Sequence, residues 1–473
     1  MKIRLKGARV LDPKNIDDFK DIIISDGKIE AIVDPDYKTD PYTQVSESPE
    51  SNMRDTKSPF STHDGNNIIE IDITGMVAVP GLIDLHVHLR EPGYEYKETI
   101  ETGLKAAAKG GFTAVCPMPN TSPVNDNSSI TAFMVSRAKE LQNSKFSSVQ
   151  SISSDKLGVE RLYSGVCKLF PVGAITKGLQ GESLCEYSDM KKAGMVAISD
   201  DGRPVQNARV MRRAMEYAKG LGLPVISHCE DIDLARDGAM NEGVVATKLG
   251  IKGIPNASES TIVMRDIALA ELTGASLHIA HVSCEESVDA IRNGKQRGVK
   301  VTAETAPHYF TLTDEAISRY DTNAKMNPPL RTERDRQAVI AGLVDGTIDT
   351  IATDHAPHSL LEKDVEFDRA AFGIVGLETS LGLSMKLVQD GRLSLDNLIE
   401  KMSKRPASIL GINNDLKAGN PADITIIDLD AFWSVNPKTF LSKSRNTPFT
   451  GFSLKGEVYM TIVDGKIAYQ RES

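Results

Sequence analysis

Eight short apolar runs, separated by stretches that suit helices, constrain the fold of this chain more than any other feature. The runs begin at Val79 and read VPGLIDLHVH, GFTAVCPMP, GVCKLFPVG, MVAISDD, LPVISHCE, SLHIAHVS, VKVTAET and DTIATDH. Strands that are apolar along their whole length are buried on both faces, as in parallel sheets that helices cover. The alternation therefore predicts an α/β protein built on a (β/α)8 TIM-like barrel over residues 79–414.

The two ends of the chain share a different pattern of short strands and tight turns. DIIISDGKIEAI near the start resembles VYMTIVDGKIAY near the end. An Asp-Gly pair between two β-rich runs is a strong hairpin signal. We therefore predict one small β-sandwich domain that is built from residues 1–78 and 415–473 and clasps the barrel.

Residues 34–67 interrupt the first part of this β domain. The stretch is rich in Ser, Pro, Asp and Thr, and it contains few residues that could build a core. Segments of this composition bury too little apolar surface to offset the entropy lost on ordering. We predict a flexible, solvated insert here, with strand structure resuming at NIIEIDITG.

Charge and composition exclude several classes of protein. The net charge of -10 argues against nucleic-acid binding, which depends on neutralising phosphates with Lys and Arg. Five widely spaced cysteines without a CxxC pair fit reduced thiols better than a disulfide framework. No run approaches the roughly 20 apolar residues that span a bilayer, and the first residues lack the long apolar stretch of a signal peptide. We expect a cytoplasmic protein that binds neither membranes nor nucleic acid.

Histidines and aspartates gather where the predicted barrel strands end. Seven of the nine histidines lie at or just beyond the ends of strands one, five, six and eight. Together with the aspartates that follow strands four and eight, the set comprises His86, His88, Asp200, Asp201, His228, His278, His281, Asp354, His355 and His358. Active sites of these barrels lie at the carboxyl ends of the strands. Because a buried cluster of this kind is costly without partners, a bound metal ion is the favoured interpretation.

Alternation along a strand sorts some of these side chains. His86, His88 and Arg90 are two residues apart, so they share one face of strand one. His278 lies three residues before His281, and this odd spacing places it on the opposite face of strand six. We therefore expect His278 to be a hydrogen-bonded histidine packed outside the barrel lumen.

Imidazole and carboxylate ligands without a thiolate cluster suit zinc or a similar ion that is used for hydrolysis. Such an ion lowers the pKa of a bound water to about 7, which creates a strong nucleophile. Asp354 at the end of the last strand is placed to hold this water and carry its proton to a leaving nitrogen. The chain has no GxSxG or GxxxxGK[ST] motif that would provide another mechanism.

Two further polar residues fit an anionic substrate. Arg90 offers a planar pair of N–H donors that matches a carboxylate, and Asn120 at the end of strand two offers both a donor and an acceptor. From the residues alone, two other interpretations stay open. Asn120 could be only a turn residue, and Arg90 could be a surface ion-pair partner.

Ten motifs follow one another along nearly the whole chain. They read VPGLIDLHVHLREPG, CPMPNTSP, LFPVGAITKGLQGE, AISDDGRPV, ISHCED, HIAHVS, KMNPPLR, ATDHAPH, FGIVGLET and SRNTPFTGFSLKG. This series closely resembles the bacterial class I dihydroorotases of the amidohydrolase superfamily; only residues 34–67 look foreign. The resemblance implies reversible cyclisation of N-carbamoyl-L-aspartate to L-dihydroorotate, with loss of water, in pyrimidine biosynthesis. It also implies a site for two zinc ions.

The resemblance also assigns roles to individual residues. The family's substrate carboxylate site falls on Arg90 and Asn120, with help from His358, and Asn327 would contact the ring or its amide edge. Asp354 would be the general acid/base that serves a hydroxide shared by the two metals. The implied metal ligands are His86, His88, Asp201, His228, His281 and Asp354.

Hydantoinases and allantoinases are the nearest alternative, because they share the barrel and the histidine motifs. In those relatives a carboxylated lysine at the end of strand four bridges the metals, whereas here that strand ends in AISDDG and the resemblance makes Asp201 the bridge. Lys168 is the only lysine inside a nearby strand, and it lies one strand too early.

A second alternative is a non-catalytic partner of aspartate carbamoyltransferase. Some chains of this kind have lost ligands, whereas this one keeps all six positions. Association with that enzyme alongside activity, and a homodimer, both stay open.

Overall fold

The structure is a computed structural model that describes residues 2–35, 60–63, 68–143 and 164–472. Its strands are β1 (Lys2–Asp12), β2 (Ile16–Ser25), β3 (Lys28–Val33), β4 (Phe60–His63), β5 (Ile68–Asp72), β6 (Val77–Pro80), β7 (Leu82–Val87), β8 (Phe112–Pro117), β9 (Lys168–Leu169), β10 (Val172–Ala174), β11 (Ala197–Ser199), β12 (Val225–Ser227), β13 (Met240–Asn241), β14 (Gly253–Ile254), β15 (Leu277–Ile279), β16 (Val301–Thr305), β17 (Thr350–Ile351), β18 (Ile424–Ser434), β19 (Ser453–Val463) and β20 (Lys466–Gln470).

Helices occupy most of the connections between β7 and β18. They are α1 (Ile100–Lys109), α2 (Ser128–Asn143), α3 (Tyr187–Lys192), α4 (Ala208–Leu221), α5 (Ile232–Ala235), α6 (Val244–Leu249), α7 (Asn256–Thr273), α8 (Glu285–Gln296), α9 (Pro307–Thr311), α10 (Glu333–Asp345), α11 (Leu360–Lys363), α12 (Ser380–Gln389), α13 (Leu395–Ile399) and α14 (Arg405–Leu410). Among the described residues, no helix has the length and apolar character needed to cross a lipid bilayer.

One sheet of nine strands joins the two ends of the chain. Its main order is β20-β19-β18-β6-β1-β2-β3, and β5 pairs with both β1 and β4. The Asp26-Gly27 pair turns the chain between β2 and β3 with φ angles of 50° and 82°, and Asp464-Gly465 does the same between β19 and β20 with 46° and 71°. Such left-handed pairs match the twist of a two-residue hairpin. Both predicted turns are therefore present, and both chain ends contribute to one sheet.

The predicted insert at 34–67 lies mostly outside the described residues. Within it, Phe60–His63 forms strand β4, which pairs antiparallel with Ile68–Asp72. The loop prediction is therefore wrong for these four residues. Strand pairing is made by backbone hydrogen bonds, so a short strand at the side of a sheet does not need an apolar composition.

Nine of the strands between β7 and β17 form two parallel sheets whose pairings run in a ring, and β13 and β14 form a separate parallel pair. β7, β8 and β9 pair in that order, and β10, β11, β12, β15, β16 and β17 pair in that order. Only Phe170 and Pro171 separate β9 from β10, and Val87 forms a parallel bridge with His355 beyond β17. The pairing therefore passes through every strand that the sequence predicted and returns to the first. The predicted α/β class is confirmed.

The helices bury one side against these strands. In α1, the Thr99 side chain accepts a hydrogen bond from the Thr102 backbone N–H and so caps the first turn. Ile100 and Leu104 of this helix are at most 2% exposed, and they lie in one apolar cluster with Val115 of β8. This core fixes the strands whose carboxyl ends carry the candidate site.

The chain passes from the nine-stranded sheet to the ring of parallel strands at Gly81. Val77–Pro80 pairs with β1 and β18, whereas Leu82–Val87 pairs with β8. A Cβ atom on Gly81 would lie 2.1 Å from the Thr113 Oγ1 atom, so the close approach of the strands requires glycine. The strand pairing therefore changes at Gly81, two residues after the predicted start of the barrel at residue 79. One unbroken apolar run covers both strands, so composition does not reveal the change.

Candidate metal centre

Six side chains predicted as ligands converge at the carboxyl ends of the parallel strands. Each lies within β7 or no more than three residues beyond the end of a strand in the ring. Every one of them is at most 7% exposed. The six are His86, His88, Asp201, His228, His281 and Asp354. The shared carboxyl edge of the parallel strands therefore brings together residues that are far apart in the sequence.

The donor atoms of these residues form two overlapping groups. One atom each from His86, Asp201 and His281 lies within 4.8 Å of the others, and the same holds for His86, His88 and Asp354. His228 joins the first group, because its Nδ1 atom lies 2.7 Å from His281 Nε2 and 3.5 Å from Asp201 Oδ1. The arrangement has two adjacent centres of convergence.

The side chains present fit a metal ion. His86 Nε2 is buried and has no hydrogen-bond partner among the described residues. It lies 3.3 Å from Asp201 Oδ1 and 3.6 Å from Asp354 Oδ1. Ligand atoms bound to one zinc ion at about 2.0–2.1 Å in a tetrahedron are roughly 3.3 Å apart, which is the spacing found here. An unpartnered imidazole nitrogen between two carboxylates is the arrangement expected of a ligand set.

In three of the four ligand histidines, a polar side chain contacts the ring nitrogen that points away from the cluster. His86 Nδ1 donates to Glu304 Oε1 at 2.8 Å. His88 Nδ1 donates to Asn120 Oδ1 at 3.0 Å, and His228 Nε2 lies 3.3 Å from Glu230 Oε2. These contacts fix which nitrogen of His86, His88 and His228 faces the cluster.

Sequence reasoning missed Glu304 and Glu230. Glu304 is the penultimate residue of β16, and Glu230 stands two residues after His228. Both lie close to strand ends, but nothing in their motifs shows that they contact a ligand histidine.

His278 is closer to the site than expected. Its Nδ1 atom lies 2.8 Å from Thr302 Oγ1, and its Nε2 atom lies 3.1 Å from the second carboxylate oxygen of Glu304. The prediction that His278 is hydrogen-bonded is confirmed, but the prediction that it packs outside the barrel lumen is wrong. His278 pairs with Thr302 in register, and Thr302 and Glu304 share one face of β16, so His278 faces the same side as the Glu304 carboxylate that contacts His86. Alternation does not extend to His281, because β15 ends at Ile279 and His281 has a left-handed φ of 35°.

Electrostatics within the cluster favour ionised carboxylates. Burial raises the pKa of Asp201, but the surrounding imidazoles, led by His86, outweigh it and hold that pKa well below its usual range. Burial likewise opposes ionisation of Asp354, and the His88 ring and its neighbours overcome it, so the pKa of this carboxyl is also lowered. Burial lowers the pKa of His88 and so favours the neutral ring that binds metals.

Three site residues adopt left-handed backbone conformations. The φ angles are 62° at Arg90, 35° at His281 and 49° at Asp354. Such angles cost a non-glycine residue free energy, and they persist only where the surroundings over-determine them. One such constraint is the hydrogen bond from the His88 backbone N–H to His355 O at 2.8 Å, which ties the end of β7 to the turn beyond β17.

The residues predicted to bind substrate line the same cavity as five of the six ligands. The cavity has a volume of about 220 Å³ and includes Arg90, Asn120, Asn327 and His358. Arg90 donates from Nε to Pro357 O at 3.1 Å, and its Nη2 atom lies 3.3 Å from His358 Nε2. Among the described residues, no carboxylate forms an ion pair with Arg90. Its charge is therefore available to an anion in the cavity.

Lys168 is turned away from the cluster. Its ammonium lies 2.6 Å from Asp423 and 2.8 Å from Asp464, both on the side of the nine-stranded sheet. At the end of strand four the chain carries Asp200 and Asp201, and no lysine stands there.

The chain matches known proteins along nearly its whole length. The model of the amidohydrolase family matches residues 77–468. The dihydroorotase of Desulforapulum autotrophicum is 63% identical over 472 residues, which cover all of both chains. The dihydroorotase of Geobacter metallireducens is 50% identical over 473 residues, again across all of both chains.

Solved structures share the fold at low sequence identity. An L-hydantoinase (dihydropyrimidinase) from Arthrobacter aurescens superposes with a TM-score of 0.79 at 24% identity, covering 100% of this chain and 96% of that one. A dihydropyrimidinase from Brevibacillus agri gives a TM-score of 0.77 at 21% identity, covering 99% and 95%. The chain belongs to the amidohydrolase family, and within it to the dihydroorotases.

Proposed function

We propose that this protein interconverts N-carbamoyl-L-aspartate and L-dihydroorotate, a step of de novo pyrimidine biosynthesis. The observation that carries the proposal is the cavity in which the buried His and Asp cluster faces the Arg90 guanidinium. The cluster suits hydrolytic chemistry on an amide, and the cation suits a substrate that carries a carboxylate. Relatives named dihydroorotase at 63% and 50% identity support the same reaction.

The ring of strand pairings supports the architecture expected for such an enzyme. We infer a (β/α)8 barrel over residues 79–414, with a β-sandwich domain from residues 1–78 and 415–473. The nine-stranded sheet and the hydantoinase-like fold support this division.

Two zinc ions are the cofactor that the donor set favours. His86, His88 and Asp354 would hold one ion, His228 and His281 the other, and Asp201 would bridge them. When bound, the ions would supply a water of lowered pKa and polarise the amide carbonyl.

Asp354 is proposed as the general acid/base of the reaction. In ring opening, water adds to the amide carbon, the C–N bond breaks, and one proton of the water passes to the leaving nitrogen. Asp354 would take that proton and deliver it, and cyclisation would run the same transfers in reverse. Its lowered pKa keeps the carboxyl ionised, so that its oxygens are free to act as acceptors.

The remaining cavity residues are proposed to hold the substrate. Arg90 and Asn120 would bind its carboxylate, assisted by His358, because guanidinium and amide N–H groups donate where a carboxylate accepts. Asn327 would contact the ring amide. The Asn327 Nδ2 atom donates to Glu230 Oε1 at 3.0 Å, which orients its amide.

A purified protein tests the proposal directly. We expect the zinc-loaded enzyme to open dihydroorotate faster than hydantoin or allantoin. The ultraviolet absorbance of the ring amide measures the opening of dihydroorotate. Preference for either of those two cyclic amides would overturn the substrate assignment. A protein that turns over dihydroorotate only after addition of aspartate carbamoyltransferase would favour the scaffold alternative. Size-exclusion chromatography of the same preparation tests the proposed homodimer.

A further inference from the structure

One loop completes the cavity with three residues that are not metal ligands. His358, Phe372 and Gly373 line it, and they come from the two ends of the segment that carries α11. Within this segment, Leu360 and Leu361 on α11 are 79% and 88% exposed, whereas Lys363 and Phe367 are each 4% exposed. Packing therefore anchors the body of the segment, and the position of the cavity edge depends on the contacts made at its two ends.

Asn446, from the segment between β18 and β19, joins those two ends. Its Nδ2 group donates to Ala356 O and to Gly373 O, both at 3.0 Å. Its Oδ1 atom accepts from the His358 backbone N–H at 3.1 Å. The side chain is 5% exposed and does not line the cavity. Asn446 thus connects the two ends of the segment through three hydrogen bonds, without contacting the cavity itself.

The chemistry of these contacts requires an amide at this position. Two acceptors and one donor face the side chain, and a neutral amide with two N–H donors and one oxygen satisfies all three. An aspartate of the same shape would direct an oxygen at two carbonyl oxygens, while a shorter side chain would leave buried groups unpaired. The backbone at this position stays anchored in either case, because Val375 N donates to Asn446 O at 2.9 Å.

Lys325 holds the same edge from a second direction. Its backbone carbonyl accepts from the Gly373 N–H at 2.9 Å, and its ammonium lies 4.4 Å from the centre of the Phe372 ring. The ammonium also donates to Phe367 O at 2.8 Å. Loss of the Asn446 contacts should therefore displace the edge without releasing the whole loop.

A displaced edge would alter the side of the cavity on which Arg90 and His358 lie. His358 Nε2 donates to Phe372 O at 2.8 Å and lies beside the Arg90 guanidinium. Asn446 therefore positions His358 in two ways. It accepts from the His358 backbone N–H, and it holds Gly373, which follows the Phe372 carbonyl that His358 contacts. None of the six ligands takes part in these contacts.

We propose that Asn446 is a positioning residue for substrate binding, which sets the cavity edge of His358, Phe372 and Gly373 beside Arg90. This inference rests on the proposed dihydroorotase function. It predicts that changes at Asn446 raise KM while kcat and the bound metal are conserved, because the ligands and Asp354 keep their places.

Steady-state kinetics with dihydroorotate, together with zinc content and Tm, test the role. We expect Asn446→Asp and Asn446→Ser to raise KM about tenfold, the equivalent of one lost hydrogen bond, while kcat stays within about threefold. Zinc content should equal that of the wild type. The matched control is Asn414→Asp, because the Asn414 amide donates to Gly81 O and Ser403 Oγ at the start of β7. Asn414→Asp should lower Tm and leave KM unchanged.

Several outcomes overturn the inference. These are an unchanged KM in a folded Asn446 variant, a fall in kcat at constant KM, or an equal rise in KM in Asn414→Asp. If neither Asn446 variant folds, the residue acts on the stability of the whole chain and the proposed role is wrong. A wild-type enzyme without dihydroorotate turnover would instead overturn the proposed function, so the two failures are distinguishable.

Discussion

The ligand side and the substrate side of the cavity are positioned in different ways. The six ligands sit on β7 or within three residues of a strand end, in a ring held by backbone pairing and a shared apolar core. On the substrate side, His358 and Asn327 lie on loops, and contacts from distant segments such as Asn446 hold the edge. Regular secondary structure places the first group, and individual side-chain hydrogen bonds place the second.

This difference separates two kinds of defect. Changes on the ligand side should affect chemistry or metal affinity, because the geometry there is rigid and a lost group has no substitute. Changes on the substrate side should affect KM, because the loops can move while the strands stay in place. Each of the following experiments tests whether effects on chemistry or metal affinity can be separated from effects on KM.

The largest effect is expected from Asp354→Asn. The amide keeps an oxygen at the same place but cannot carry the proton, so kcat should fall about 10³-fold while most of the zinc is retained. Single-turnover kinetics and metal analysis measure both quantities. Asp266→Asn is a matched control, since this buried carboxylate bonds to Ser227 Oγ instead. Near-normal turnover in Asp354→Asn would refute the role.

Arg90→Ala should weaken substrate binding next most strongly. A charge-assisted contact with a carboxylate contributes about 2–3 kcal/mol, so KM should rise roughly 30- to 150-fold, with zinc content unchanged. Arg9→Ala provides a control, because Arg9 pairs with Asp17 in the nine-stranded sheet. An unchanged KM in Arg90→Ala would contradict the carboxylate site, and loss of zinc would break the separation of the two sides.

Glu304→Gln tests whether the ligand side depends on its supporting contacts. Removing the carboxylate that orients His86 should weaken zinc affinity about 10- to 100-fold, measured by competition with a chelator. Glu259→Gln is the control, since Glu259 is also buried but accepts from the Ser283 backbone N–H at 3.0 Å. Equal zinc affinities in the two variants would show that Glu304 does not support the ligand.

The smallest effect concerns Lys363, which anchors the loop of the substrate side. Its ammonium donates to Thr322 O at 2.8 Å and Ala371 O at 2.7 Å. Burial, followed by the neighbouring Lys325 charge, lowers its pKa from 10.5 to about 7. Between these pH values the unfolded chain binds more protons than the folded one, so this group adds stability as pH rises from about 7 to 10 and loses it as pH falls.

Lys363→Met should remove that contribution. Thermal scans at pH 7 and pH 9 should show the Tm difference between wild type and variant moving in favour of the wild type at the higher pH. For a chain of this size the change should be roughly 1–2 °C. The exposed Lys2, which pairs with Glu30, provides the control substitution. A Tm difference that is constant with pH would contradict the argument.

Sequence patterns predicted which residues meet at the strand ends, but not the contacts that support them. His86, His88 and Asp201 were accessible because alternation and strand ends are local rules that hold along any barrel strand. Glu304 was missed because its role depends on a hydrogen bond with His86, which lies on a strand far away in the sequence.

The substrate side shows the same limit more strongly. Asn446 appears in the motif SRNTPFTG, yet nothing local to that motif shows that it meets Ala356, His358 and Gly373. Contacts between segments about 70 to 90 residues apart depend on the packing of the whole chain.

The sequence by itself determined the alternation of strands and helices, the positions of the buried runs, and the residue types at their ends. These follow from short-range periodicity, because a strand repeats every two residues and a helix every 3.6. Only the tertiary structure decided which nitrogen of His86, His88 and His228 faces the cluster, that Phe60–His63 pairs as a strand, and that Asn446 supports the cavity edge. These depend on hydrogen bonds between distant segments, whose partners are set by the packing of the completed core.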